Sequence, residues 1–172
     1  MKIFKLLSLS FIILIAGSSL CHAQKSPDKF INYLKKEDSS VAVTLPGWFI
    51  KLAGHLATKD IDDNESQMIR ELTGHIKKLR FVVNETLPAD YKERFQSFKS
   101  HMTKKGFEPL IEARDDGTTV DLWAEFDGQI VKKIVVSVLE EDNSSVFFNI
   151  KSDIDFDKLK STNFYKDWKN EL

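Results

Sequence analysis

Disulfide bonding is excluded almost at once, because the 172 residues contain a single cysteine, Cys21. It sits in an N-terminal stretch that reads as removable, so thiol catalysis leaves with it. Glycine is sparse too. Seven glycines, mostly in turn settings, form no GxGxxG or P-loop cradle for a phosphate. No GxSxG or SxxK marks a nucleophile. His55, His75 and His101 fall far apart with no HExxH or HxxxH spacing, which denies zinc its convergent ligands. Neither sign of charge is in excess. With 25 basic and 26 acidic side chains the net is −1, which argues against nucleic acid or an anionic membrane surface as partner. No apolar run reaches the roughly 20 residues that span a bilayer.

The N-terminus carries the clearest signal. Lys2 and Lys5 precede an apolar run from Leu6 to Ala16, then Gly17-Ser18-Ser19, then Cys21-His22-Ala23. Small side chains at Cys21 and Ala23 suit signal peptidase, so residues 1–23 are expected to be a cleaved signal peptide. Lipidation of Cys21 is the alternative, and Leu20 just before it is larger than that processing favours. Removing 23 residues from 172 leaves 149, enough for the one α+β domain expected over 24–172. Losing Lys2 and Lys5 leaves 23 basic against 26 acidic groups, a net of −3. The expected address is export to the periplasm or the outer membrane.

Periodicity organises the remainder. Helical spacing covers 28–36, 48–57 and 65–72, and β-branched or alternating segments cover 41–45 and 79–84. Trp48, Phe49, Leu52, Ala53 and Leu56 share one helical face, expected to pack on a sheet. Pro88 opens the clearest helix, whose Tyr91, Phe95, Phe98 and Met102 recur at i, i+4, i+7 and i+11, and Gly106 ends it. From there the period becomes 2. Strands are expected at 107–114, 118–126, 129–139 and 144–151, a four-stranded antiparallel meander, with a closing helix over 155–169 anchored by Phe156, Leu159, Phe164 and Trp168. The 91–102 stripe is expected to press on Val120, Leu122, Ala124 and Phe126. A three-residue turn at Phe126-Asp127-Gly128 with a bulge would set Trp123 opposite Val131 and Asp121 opposite Lys133. A two-residue turn would set Trp123 opposite Lys132 instead.

On the preferred register the other face of the meander gathers Leu110, Trp123, Val131, Val135, Leu139 and Phe147. An apolar stripe of that size needs cover. Either the chain supplies it, through the 48–57 helix or the segment around Trp168, or a protein partner, a second copy or a lipid-like ligand lies there.

Two acidic patterns bear on metals. Asp60, Asp62, Asn64 and Glu71 fall at positions 1, 3, 5 and 12 of a calcium loop, but Glu65 stands where the sharp turn needs glycine. A solvated linker whose carboxylates favour the next helix is the plainer reading. Asp153, Asp155 and Asp157 alternate without a distal glutamate, and Asp155 reads as a helix cap. No cofactor is expected.

This layout resembles an exported family of Bacteroidetes-type bacteria, domain-of-unknown-function family 4252. The resemblance rests on the order of four segments: the signal peptide ending in Ala23-Gln24; the strand-to-helix run Val41-Ala42-Val43-Thr44-Leu45-Pro46-Gly47-Trp48-Phe49; the acidic link and its following helix and strand, then Lys105-Gly106-Phe107-Glu108-Pro109-Leu110; and the meander ending near Ile154-Asp155-Phe156. It implies a Gram-negative envelope address. Proximity of the family's genes to those for extracytoplasmic-function sigma factors points to envelope sensing. No functional residue transfers. The reading that follows is a non-catalytic envelope protein that binds a partner or apolar ligand; a hydrolase assembled from residues distant in sequence is the alternative.

Overall fold

The computed structural model describes residues 26–58 and 63–157. The proposed signal peptide, Asp60, Asp62 and the closing helix beyond Asp157 lie outside the described residues. Among the described residues, four helices and six strands follow one another as α1 (Pro27–Leu34), β1 (Ser40–Pro46), α2 (Gly47–Ala57), α3 (Asp63–His75), β2 (Ile76–Asn84), α4 (Tyr91–Lys104), β3 (Phe107–Asp115), β4 (Thr118–Asp127), β5 (Ile130–Leu139) and β6 (Ser145–Asp155). Among the described residues no helix is long and apolar enough to cross a membrane.

The α+β class and the β3–β6 meander agree with expectation, but the sheet has six strands rather than four, in the order β1-β2-β6-β5-β4-β3. Every pairing is antiparallel. β2 joins the meander by pairing with the last strand, Val82 opposite Phe147, a contact between segments remote in sequence.

The stripe on α4 forms as its spacing requires, and Gly106 follows the helix at φ 84°, where a side chain would be strained. It packs on the face opposite to the expected one. Tyr91, Phe98 and Met102 join Trp123, Val135, Phe147 and Val82, together with Phe30, Ile31 and Leu34 of α1. Val120, Leu122 and Phe126 point the other way. The correction has an electrostatic cause. Asp121 and Glu125 flank Trp123 on the helix-bearing face and would oppose burial, but lysines neutralise them. Lys99 of α4 donates to Asp121 at 2.9 Å, and Lys133 of β5 pairs with Glu125.

The β4–β5 register also differs from both expectations. Trp123 faces Val135 and Asp121 faces Ser137. Gly128 and Gln129 form the turn, with Gly128 at φ 60°, and the irregularity lies farther in, where Lys132 drops out between the Phe126–Val131 and Glu125–Lys133 pairs. That bulge turns Val131 over, away from Trp123.

Polar contacts hold α1 to the sheet. Arg80 donates from Nη1 to Asp28 Oδ1 at 2.7 Å and from Nη2 to Asn32 at 2.9 Å, and Asn149 donates to Asp28 at 3.1 Å. Burial alone would raise the Asp28 carboxyl, but the Arg80 hydrogen bond and charge, with Lys151 and Lys78 behind it, hold it below its ordinary 3.8. A depressed carboxyl stabilises the fold above the unfolded value, and this is lost as pH falls through the folded one. The melting temperature of wild type should therefore drop more steeply below about pH 4 than that of Asp28→Asn. Parallel melting curves for the two proteins would show that Asp28 makes no such contribution.

Candidate functional site

The residues expected to form one binding stripe are divided by the structure. Trp123 is 2% exposed, and Val135 and Phe147 are buried with it under α1 and α4. Leu139 packs partly buried against the same core. Val131 belongs to the other face, with Ala124 and Ile154. Leu110 stands exposed on edge strand β3. The chain thus covers its own Trp123, and the covering helix is α4 rather than α2. Apart from exposed Leu110, these residues pack into the core.

The calcium pattern lies only partly within the described residues. α3 already runs from Asp63, so backbone that a twelve-residue loop would wrap around an ion is helical, and Glu71 is exposed on that helix. Among the described residues no group of three or more His, Cys, Asp or Glu side chains is placed to hold a metal. Asp155 accepts a hydrogen bond from the Asp157 amide at 3.1 Å, the local cap its position suggests. β6 itself reaches Asp155, beyond the expected end at Lys151.

A cavity of about 680 Å³ opens between α4 and strands β3 and β4, lined by Tyr91, Phe95, Lys99, Glu112, Arg114 and Asp121 among others. Lys99 on its wall lies 2.6 Å from Glu112 and 2.9 Å from Asp121, with the ammonium 5.4 Å from the Trp123 ring centre. Burial would lower the Lys99 ammonium, but the hydrogen bonds to Asp121 and Glu112 outweigh it and raise it. The bond from Lys99 in turn lowers Glu112. Burial raises the Tyr91 hydroxyl, opposed by its hydrogen bond with Ser137. Each shift moves its group away from neutral pH. Lys99 stays a cation, Glu112 an anion and Tyr91 a neutral phenol, and the ion pairs tether α4 to the sheet.

The other unusual feature is α2. Its inner seam is narrow: Ile50 and Gly54 are buried, followed by Thr58 just past its end. Gly54 lets α3 come close, since a Cβ there would lie 2.3 Å from Thr73 Oγ1. Thr58 completes the seam by receiving Arg70 Nε on its hydroxyl at 2.8 Å and Ser66 on its carbonyl at 3.0 Å. The remaining apolar side chains point outward. Trp48 is 69% exposed, Leu56 63%, Leu52 49% and Phe49 43%. The sequence reading assigned this face to the sheet. The available signal was that only Lys51 and His55 interrupt an otherwise apolar or small-residue helix, so both its faces are apolar and one must remain outside.

A family model described as Domain of unknown function (DUF4252) matches residues 33–162. No curated protein and no solved structure matches the chain.

Proposed function

The chain belongs to the DUF4252 family, and we propose that it serves as a non-catalytic, exported binding protein of the cell envelope whose binding surface is the outer face of α2. One observation carries this reading: Trp48, Phe49, Leu52 and Leu56 stand exposed together on one helix. Large apolar side chains gathered on a surface mark sites of association, and tryptophan is prominent among interface anchors. Export is supported by the N-terminal pattern of Lys2, Lys5, the apolar run and Ala23. A role in sensing envelope state would follow if the ligand or partner of α2 changes with envelope stress.

An environment-sensitive apolar dye, added to dilute protein, tests the surface. Wild type should enhance its fluorescence, and Trp48→Ser with Leu56→Ser should reduce that enhancement several-fold while leaving the melting temperature nearly unchanged, because both side chains already face solvent. Equal dye response in wild type and the double variant would remove α2 as the binding surface.

A further inference from the structure

The two edges of the sheet are built differently. β3 carries Glu108, Glu112, Arg114 and Asp115, contains Pro109, and has an irregular register between Pro109 and Ile111. Charges, proline and bulges are the devices that keep an edge from pairing with another chain. β1 has none of them before its last residue. Ser40-Val41-Ala42-Val43-Thr44-Leu45-Pro46 holds no charge, and all seven residues pair with β2 without a break. Among the described residues nothing pairs with its outer side.

Exposed apolar surface collects at that same edge. Of the seven large apolar side chains exposed among the described residues, Val41, Trp48, Phe49, Leu52, Leu56 and Val83 lie on β1, on α2 directly after it, or on the adjoining β2. The sheet face carrying Val41 and Val43 is apolar in complete cross-strand rows. One runs Val41, Val83, Val146, Val138, Val120, Ala113, and the next Val43, Phe81, Phe148, Val136, Leu122, Ile111.

We propose that a second copy of this chain pairs with β1, antiparallel and about a two-fold axis at Val43. This inference rests on the reading of α2 as a binding surface and names its partner. The register follows from the strand. Centring the axis on Val43 is the one placement that pairs all seven residues of β1 with seven of the copy. It sets Val41 opposite Leu45 and Val43 opposite Val43 on one face, and Ala42 opposite Thr44 on the other. A slip of one residue would turn the copy's sheet over and break the apolar rows, so the side-chain alternation selects against it. Two-fold pairing makes the apolar rows continuous across both copies. It also brings Val41, 62% exposed, beside the end of β1 in the second copy, where α2 begins and carries Trp48 and Phe49. A stable interface needs about 800 Å² per partner, which the seven-residue pairing reaches only if Trp48 and Phe49 of both copies are buried in it.

The purified protein should sediment as a dimer that dissociates on dilution, with the dye response rising as it does, and Val41→Lys, at an exposed position, should weaken dimerisation at least about tenfold while preserving the far-ultraviolet spectrum. Register is tested in a Cys21→Ser background, where an introduced cysteine is the sole thiol. Val43→Cys should cross-link to its own copy under mild oxidation. Val41→Cys should not, because the two copies of residue 41 would lie roughly 13 Å apart along the strands, beyond the reach of a disulfide. A monomer at every concentration, or equal cross-linking at 41 and 43, overturns the proposal. A monomer whose dye response still depends on Trp48 overturns the second copy but keeps α2 as a binding face, whereas a monomer without that response removes both.

Discussion

Phe98→Ala should lower the stability of the protein by about 3–5 kcal/mol, the usual cost of removing a buried phenylalanine ring. Phe98 is 2% exposed and sits where α1, α4 and the sheet converge. Its ring stacks on Phe30 with centroids 4.5 Å apart, and meets Phe147 and Trp123 edge-on at 5.6 and 6.4 Å. The substitution therefore opens a cavity among Phe30, Phe147 and Trp123, none of which can follow the lost ring without leaving its own contacts. The melting temperature should fall by roughly 10–20 °C. Phe95 is only partly buried at the rim of the same cluster, so Phe95→Ala should cost distinctly less. Equal losses at 95 and 98 would contradict the packing of α4 on the Trp123 face. A loss below about 1 kcal/mol at Phe98 would contradict its burial altogether.

The junction that aims α2 is the second sensitive point. Gly47 opens the helix directly after Pro46, and a Cβ there would lie 2.3 Å from the Ile76 carbonyl oxygen and 2.8 Å from that of Lys77. Those neighbours are backbone at the start of β2, so they cannot rotate aside. Gly47→Ala should force α2 away from β2 and cost up to about 3 kcal/mol, at the upper end for overpacking. Gly54→Ala offers the contrast. Its obstacle is the Thr73 side chain, whose Oγ1 and Cγ2 would lie at 2.3 and 2.8 Å and whose Cβ at 2.9 Å, so the loss should be smaller and partly recovered in Gly54→Ala with Thr73→Ala, which removes the first two. Thermal unfolding of the four proteins decides this; a neutral Gly47→Ala would mean that α2 is not held against β2 as described.

Much of the architecture was legible because it is local. The α4 stripe, the Gly106 stop and the period-2 segments from 107 onward each announce themselves within a dozen residues. The β2–β6 pairing was not, since no turn joins those strands and their partnership depends on the whole sheet closing. The β4–β5 register was missed because its irregularity lies at Lys132, inside the strand, rather than beside the Asp127-Gly128 turn. The faces of β4 were exchanged because alternation alone favours burying Val120, Leu122, Ala124 and Phe126. Only Lys99 and Lys133, from a different helix and a different strand, make burial of the Asp121–Trp123–Glu125 side favourable. The same ambiguity hid the exposed face of α2. A helix with apolar residues on both sides does not say which side its neighbours occupy, and Gly54 against Thr73 is a contact across the chain.

The claim that the outer face of α2 binds something in the cell envelope is tested most directly by a photoreactive residue in place of Trp48, with the same residue in place of exposed Glu140 as control. After irradiation of living cells, intact mass of the recovered protein reports both its processing and its adducts. The expected result is a chain beginning at Gln24 with a discrete adduct from position 48 and none from position 140. An unprocessed chain, or adducts from position 48 no more frequent than those from position 140, would contradict it.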